Sequence, residues 1–370
     1  MDVLGLIFSD IQNKETFEVT TDRTIASVPI GGRYRLIDFA LSQFSNAGVK
    51  NVGVITKNNY QSLMGHVGSG KEWDLARKNG GLVILPPYSV NTEKYNSRLN
   101  AVKGIMPYLD HSHDEYVIMT DCYHICNIDY NDVLDFHIKS GADITCVYYN
   151  EKVNEDTYFP LKKMTMGEDN RVKNFEFVNE YEGTCSKSLD IWVMRRNFLK
   201  EIINESINTN YSSFNRDIFQ KNVNNFKIYG YEYKGYFGNI YDLKSYFKVN
   251  KDLLKEEVRN QLFYNPGKPI YTKIRDSAPT KYGRYAKVEN SFIADGCVIE
   301  GEVYDSILFR GTKVAKGCVV KNCILYQDTN ITGDAQIEYV ITDKKARIET
   351  KKELKGSIDS LLYVKKGGVL

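Results

Sequence analysis

Two hydrophobic periods divide the chain. From the N-terminus to about residue 235, short apolar runs alternate with longer amphipathic stretches; nearer the C-terminus an apolar residue recurs about every six positions. The runs VLGLIF (3–8), VGVIT (52–56), GLVIL (81–85), YVIMT (116–120), ITCVYY (144–149) and LDIWVM (189–194) read as buried strands. Between them LIDFALSQFSNAG and YNDVLDFHIKSGA have helical spacing and close on Gly48 and Gly141, as helices with a glycine C-cap do. This alternation predicts an α/β, Rossmann-like domain with a mixed, mostly parallel sheet and helices on both faces. DLKSYFKVNKDLLKEEVRNQLF (242–263) is predicted as one more helix, stopped by NPGKP.

The second period is that of hexapeptide repeats. In SFIADGCVIEG, TKVAKGCVVKN and TNITGDAQIEY the pairs Ile293/Ile299, Val314/Val320 and Ile331/Ile337 are six apart. Such spacing lets the inward residues of each coil of a parallel β-helix stack on those of the next. The expected division is an α/β domain over 1–265, a linker over 266–284 and a β-helix over 285–370, and the β-helix carries no constellation suggesting chemistry.

Length and composition narrow the function classes. With 370 residues and 42% hydrophobic content, the chain can bury two cores. The 49 Lys and Arg nearly balance the 47 Asp and Glu. A net charge of +2 provides no footprint for nucleic acid or an acidic membrane surface. No apolar run approaches the length of a membrane span, and no leader pattern opens the chain, so a cytoplasmic protein is expected. The 7 cysteines are odd in number and lie in apolar segments, which suits buried thiols rather than disulfides. Cys122 and Cys126 lack a second pair at zinc spacing, and His111 and His113 read as solvated, so no metal is expected.

The turn after the first strand is unusual. Where nucleotide-binding α/β domains have glycines that let backbone N–H groups close on phosphate, this chain has Ser9-Asp10-Ile11-Gln12-Asn13-Lys14-Glu15. Gly65 to Glu72, GHVGSGKE, nearly fits a P-loop, but Glu72 replaces the Mg²⁺-binding hydroxyl. A helical NNYQSLM also precedes it where a strand is required. Far more specific is Pro29 to Phe39, PIGGRYRLIDF. It resembles the corresponding motif of glucose-1-phosphate adenylyltransferases (ADP-glucose pyrophosphorylases), and the likeness continues through ILPP (84–87), HICNIDY (124–130), PIYTK and APTKY (269–282) into the β-helix. The resemblance implies a nucleotidyltransferase domain followed by a left-handed β-helix, in tetramers that join glucose 1-phosphate to the α-phosphate of ATP.

The resemblance also marks what is changed. The family's catalytic lysine falls on Ile25, its Mg²⁺-binding aspartates on Tyr123 and Asn239, and its sugar-phosphate lysine on Glu180. Its Gly-Thr-Ala-Asp-Ala segment falls on Ser97 to Ala101. Mg²⁺ is a hard ion that relies on carboxylates and phosphate oxygens, for which a phenol and an amide are poor replacements. Losing the metal and the cations, at about 3 kcal/mol each, would lower turnover by more than roughly 10⁴. Asp121 and Asp10 are the carboxylates from which an alternative, weakly active site could be rebuilt.

Taken with these changes, the resemblance implies a regulatory, largely non-catalytic subunit of the glycogen pathway, without cofactor of its own, paired with a GlgC-type catalytic subunit that uses Mg²⁺ and ATP. Arg23, Arg35 and Lys281 stand where the family's allosteric anions bind, and are candidates for holding a sugar phosphate such as fructose 1,6-bisphosphate.

Overall fold

A computed structural model of the chain describes residues 2–10, 17–86, 97–154, 157–158, 160–209, 211–349 and 353–370. By packing, the chain folds as two compact units that are not consecutive in sequence. The first is Met1–Lys14, Phe39–Phe237 and Pro266–Tyr271; the second is Glu15–Asp38, Gly238–Asn265 and Thr272–Leu370.

The first unit is built on a nine-stranded mixed sheet. Its order runs Val172–Val178, Leu161–Met166, Thr184–Arg195, Tyr116–Asp121, Val3–Phe8, Asn51–Ile55 and Gly81–Leu85. Ile144–Lys152 also pairs with Thr184–Arg195, and Ile228–Glu232 pairs with Ile144–Lys152. The strands from Tyr116–Asp121 through Val3–Phe8 and Asn51–Ile55 to Gly81–Leu85 are mutually parallel. Every residue of Val3–Phe8 and Tyr116–Asp121 is buried, as strands covered on both faces must be. The helix Tyr130–Ser140 ends on Gly141 at φ +61°, the left-handed C-cap expected from the sequence. GHVGSGKE follows helical rather than strand backbone, since Gln61–Val67 is an α-helix.

The second unit contains a three-sided parallel β-helix. Its faces start at Lys281–Tyr282, Lys287–Glu289 and Phe292–Ile293, and each is a five-stranded parallel sheet. Ile299, Val314, Ile331 and Ile348 stack in register along one face; Val303, Val320, Ile337 and Leu354 stack along the next. Coil corners recur at positive φ. Gly296, Gly311, Asp328 and Lys345 occupy one such position (φ +60° to +76°), and Asn290, Asp305, Asn322 and Tyr339 another (φ +42° to +55°). Glycine, Asn and Asp tolerate that conformation, which explains most of the column.

The packing units differ from the expected boundary at 265. Segment 15–38 and the helices at 243–262 belong with the β-helix: Tyr246 donates to the Pro29 carbonyl (2.7 Å), Asn250 Oδ1 accepts from Gly31 N–H (3.1 Å), and Lys251 reaches Asp305 O (2.6 Å). The single helix expected over 242–263 is two, Leu243–Asp252 and Glu256–Leu262. Arg259 caps the break by donating to the Leu253 and Leu254 carbonyls. Lys281–Tyr282, expected within a linker, already pairs with Val298–Ile299.

Candidate functional site

After Val3–Phe8 the chain builds outward to Asn51–Ile55 and Gly81–Leu85, then crosses back to place Tyr116–Asp121 on the other side. In open α/β sheets, ligands bind at the carboxyl ends of strands flanking such a switch point. Ser9, Asp10, Thr56, Lys57, Asp121 and Tyr123 follow or end those strands. The hydroxyls of Ser9 and Thr56 are buried there without a hydrogen-bond partner.

Tyr123 donates from its hydroxyl to Asp10 Oδ1 at 3.4 Å. Burial pushes Asp10 up to about 6, against the lowering effects of Tyr123 and Lys57. The Tyr123 phenol is itself raised well above its ordinary value, first by burial and then by the charges of Asp10 and Asp121. Asp121 does not point a free carboxylate at this crevice. Its Oδ2 is ion-paired with Arg98, and its Oδ1 accepts from Tyr123 N–H (3.0 Å) and faces His124 Nδ1 (3.1 Å). Burial opposes ionisation of Asp121, yet Arg98 and His124 hold it below the usual carboxylate range. Burial likewise opposes charge on His124, but Asp121 and Cys126 raise it to about 10, so it is an imidazolium at neutral pH.

Arg98 reaches a second carboxylate. The same Nη2 lies 3.0 Å from Asp190 Oδ2, which Lys162 also approaches as an ion pair. Asn215 donates to Asp190 Oδ1 at 3.3 Å. Arg98 is 9% exposed, with its guanidinium 5.9 Å from the Phe8 ring centre and 5.4 Å from that of Trp192. Asp190 adopts φ +58° where the register of its strand slips between Ser188 and Trp192.

The residues present do not fit the Mg²⁺ that the family resemblance implies. Tyr123 supplies a phenol far from ionising, and Asn239 is a neutral amide in the second unit. Among the described residues no group of three or more His, Cys, Asp and Glu could hold a metal ion. Ile25 is buried in a 3₁₀ turn and Glu180 is exposed beyond Val172–Val178. Residues 11–15 of the altered first turn lie outside the described residues. All seven cysteines are buried thiols, and His111 Nδ1 contacts the Pro107 carbonyl at 2.6 Å.

A second cluster lies within the second unit. Arg23 contacts both Asp343 oxygens (2.8 and 2.7 Å), which also accept from Tyr363 OH and Lys344 N–H. Burial lowers Arg35 to about 10, with Arg275 and Arg23 adding to the effect and Asp38 opposing it. Burial lowers Lys344 to about 8, assisted by Arg35, Arg23 and Arg275 and opposed by Asp343. Four cations thus act on one another around a carboxylate already fully engaged. The structure brings Arg23 and Arg35 together and adds Lys344 and Arg275; Lys281 stands exposed on the first strand of the β-helix. Arg98, Lys162 and Asp190 were not singled out from the sequence. Their one local signal was an aspartate inside the apolar run LDIWVM, since an unpaired charge is almost never buried.

An α/β unit with this switch-point crevice, joined to hexapeptide coils, defines the nucleotidyltransferase fold class with an appended β-helix. The family model "Nucleotidyl transferase" matches residues 16–182, and "GlmU-like, C-terminal hexapeptide" matches 277–356. Glycogen biosynthesis protein GlgD of Bacillus subtilis (strain 168) is 33% identical over 368 residues, covering 99% of this chain and 96% of that one. Glucose-1-phosphate adenylyltransferases of Thermosipho melanesiensis and Clostridium perfringens (strain 13) are 32% and 31% identical, over 86% and 89% of this chain and 78% and 84% of theirs. The chain belongs to the glucose-1-phosphate adenylyltransferase family, as a GlgD-type member.

Proposed function

We propose that the chain serves glycogen biosynthesis as a regulatory, largely non-catalytic subunit of glucose-1-phosphate adenylyltransferase, acting on a GlgC-type partner in a hetero-oligomer. The partner joins ATP and glucose 1-phosphate into ADP-glucose and diphosphate, and supplies the Mg²⁺ and ATP sites. The observation that carries this reading is the switch-point crevice. Adenylyl transfer needs cations and a metal where charge develops on the transferred phosphorus. Here a phenol stands beside a carboxyl of raised pKa, and Asp121 is held by Arg98 and His124. That engagement weighs against a weakly active site rebuilt on Asp10 and Asp121.

The cationic cluster supplies the regulatory half of the proposal. Arg23, Arg35, Arg275 and Lys344 carry more positive charge than Asp343 and Asp38 offset, which suits a doubly phosphorylated sugar. The test is ADP-glucose formation from ATP and glucose 1-phosphate with Mg²⁺, by the purified chain, by a GlgC-type subunit of the same cell, and by the two mixed. No turnover alone, with altered activity or effector response in the mixture, supports the reading. Substantial turnover by the chain alone overturns it.

A further inference from the structure

At the end of the sheet opposite the switch-point crevice, two helix termini of opposite sign meet. Tyr116 starts its strand there, Arg195 pairs with it as Thr184–Arg195 ends, and Asp143 precedes Ile144–Lys152. Tyr130–Ser140 arrives with its carboxyl end, and Arg196–Asn208 leaves with its amino end. Aligned peptide dipoles make the first pole negative and the second positive. Between them lies a cavity of about 330 Å³, within the size range of small-molecule sites and lined only by residues of the first unit.

The polar groups of this cavity are uncommitted. Arg196–Asn208 has no side-chain cap. Its Arg196 N–H donates to the Glu115 carbonyl (2.8 Å), while the N–H groups of Asn197 and Phe198 have no partner among the described residues. His137, 2% exposed, lines the cavity from the other helix, with Nδ1 turned to Thr145 Oγ1 at 2.8 Å. That hydroxyl has no other acceptor among the described residues, so its proton goes to Nδ1. Nε2 then carries the ring's own proton and faces the cavity as a donor without a partner. Burial, assisted by Arg195 and opposed by Asp143, lowers His137 to about 4, so the ring is neutral. Arg195 pairs with Glu115 through Nη1 (2.9 Å) at the exposed rim. Two carboxylates line the same space: Asp143, whose Oδ2 accepts from Lys227 N–H (2.8 Å), and Glu201, which has no hydrogen bond or ion pair among the described residues. A simple anion would meet Asp143 and Glu201; a simple cation would meet Arg195 and the positive helix end. A ligand carrying both charges suits both poles, and half-exposed Ile138 with the Phe198 ring gives it an apolar wall.

We propose that this cavity binds a free α-amino acid with an apolar side chain. Its carboxylate takes the N–H groups of Asn197 and Phe198, beside Arg195 and His137 Nε2. Its ammonium takes Asp143 and Glu201, and its side chain lies against Ile138 and Phe198. Charge-assisted hydrogen bonds at both ends select the zwitterion over molecules that carry one charge. The inference rests on the geometry of the first unit and does not depend on the regulatory reading.

The test is calorimetric titration of the full chain with L-valine, L-leucine, L-isoleucine, L-methionine and L-phenylalanine. Each is compared with its N-acetyl derivative, which lacks the positive charge, and its amide, which lacks the negative one. At least one free amino acid is expected to bind, one per chain, at about 0.5 mM or tighter, and both of its derivatives at least about tenfold more weakly. Asp143→Asn keeps an acceptor for Lys227 N–H, and Asp143→Asn/Glu201→Gln should weaken the free amino acid by about tenfold. Glu201→Gln alone, at an exposed helix position clear of the core, should weaken it by about threefold and decides the matter if the double variant does not fold. Absence of binding by all five amino acids at about 10 mM overturns the proposal. So do derivatives that bind as tightly as their parent, or a Glu201→Gln chain that binds like the wild type.

Discussion

Asp10 and Tyr123 show what one exchanged side chain does to its neighbour. The phenol donates a hydrogen bond to a carboxylate that burial makes costly to ionise, and Asp10 titrates near 6 instead of its ordinary 3.8. Between these two values the native state binds more protons than the unfolded one, so stability falls as pH rises from about 4 to 6 and the loss persists above. At 1.36 kcal/mol per unit, ionised Asp10 costs the fold about 2–3 kcal/mol at neutral pH. Asp10→Asn keeps the acceptor for Tyr123 and removes the charge. It should stabilise the chain by about 1–3 kcal/mol in urea unfolding at pH 7.5, and by almost nothing at pH 4. An equal gain at both pH values would show that charge is not the cause.

Among the elements, the β-helix coils were the most legible, because inward residues repeat along the chain at a fixed period and each coil is a local event. The corners add a testable detail. Lys345 and Tyr339 both sit at positive φ in columns otherwise filled by Gly, Asn or Asp, but only Tyr339 packs its ring, 5.9 Å from that of Phe247. Lys345→Asn should therefore raise stability by about 0.5–1 kcal/mol. Tyr339→Asn relieves similar strain but loses the ring contact and should be destabilising by about 1 kcal/mol. Denaturant midpoints of the two variants moving the same way would contradict this. The α/β strands were legible where both faces are covered, as in VLGLIF and YVIMT. Leu161–Met166 and Val172–Val178 were missed because polar residues interrupt their apolar positions: only Leu161 and Met164, and Val172 and Phe175, are buried, with Lys162 and Lys163, and Lys173 and Asn174, between them. The expected 242–263 helix was split by Leu253 and Leu254, which fit the helical pattern equally well in one helix or two.

At the scale of the whole molecule, the sites gather residues that no linear pattern joins. Ile25, Tyr123, Glu180 and Asn239 were found through motif resemblance, whereas Arg98 and Asp190 are 92 positions apart and meet only because their segments converge in the folded first unit. Lys344 and Arg275 were missed for the same reason: each reads as an ordinary surface cation until folding sets it beside Arg23 and Arg35. Lys344 also makes the proposed effector site testable by pH. Its amine loses its proton near 8 because burial and three neighbouring cations disfavour the charged form. A bound phosphate ester offsets that repulsion and raises the Lys344 pKa, so binding takes up a proton above pH 8. With fructose 1,6-bisphosphate as probe, affinity measured calorimetrically should be level between pH 7 and 8, then fall by up to about tenfold by pH 9. Lys344→Ala should bind more weakly at pH 7 and lose most of that pH dependence, while Lys281→Ala should retain it. A wild-type affinity flat from pH 7 to 9, or a Lys344→Ala profile parallel to wild type, would place the anion elsewhere.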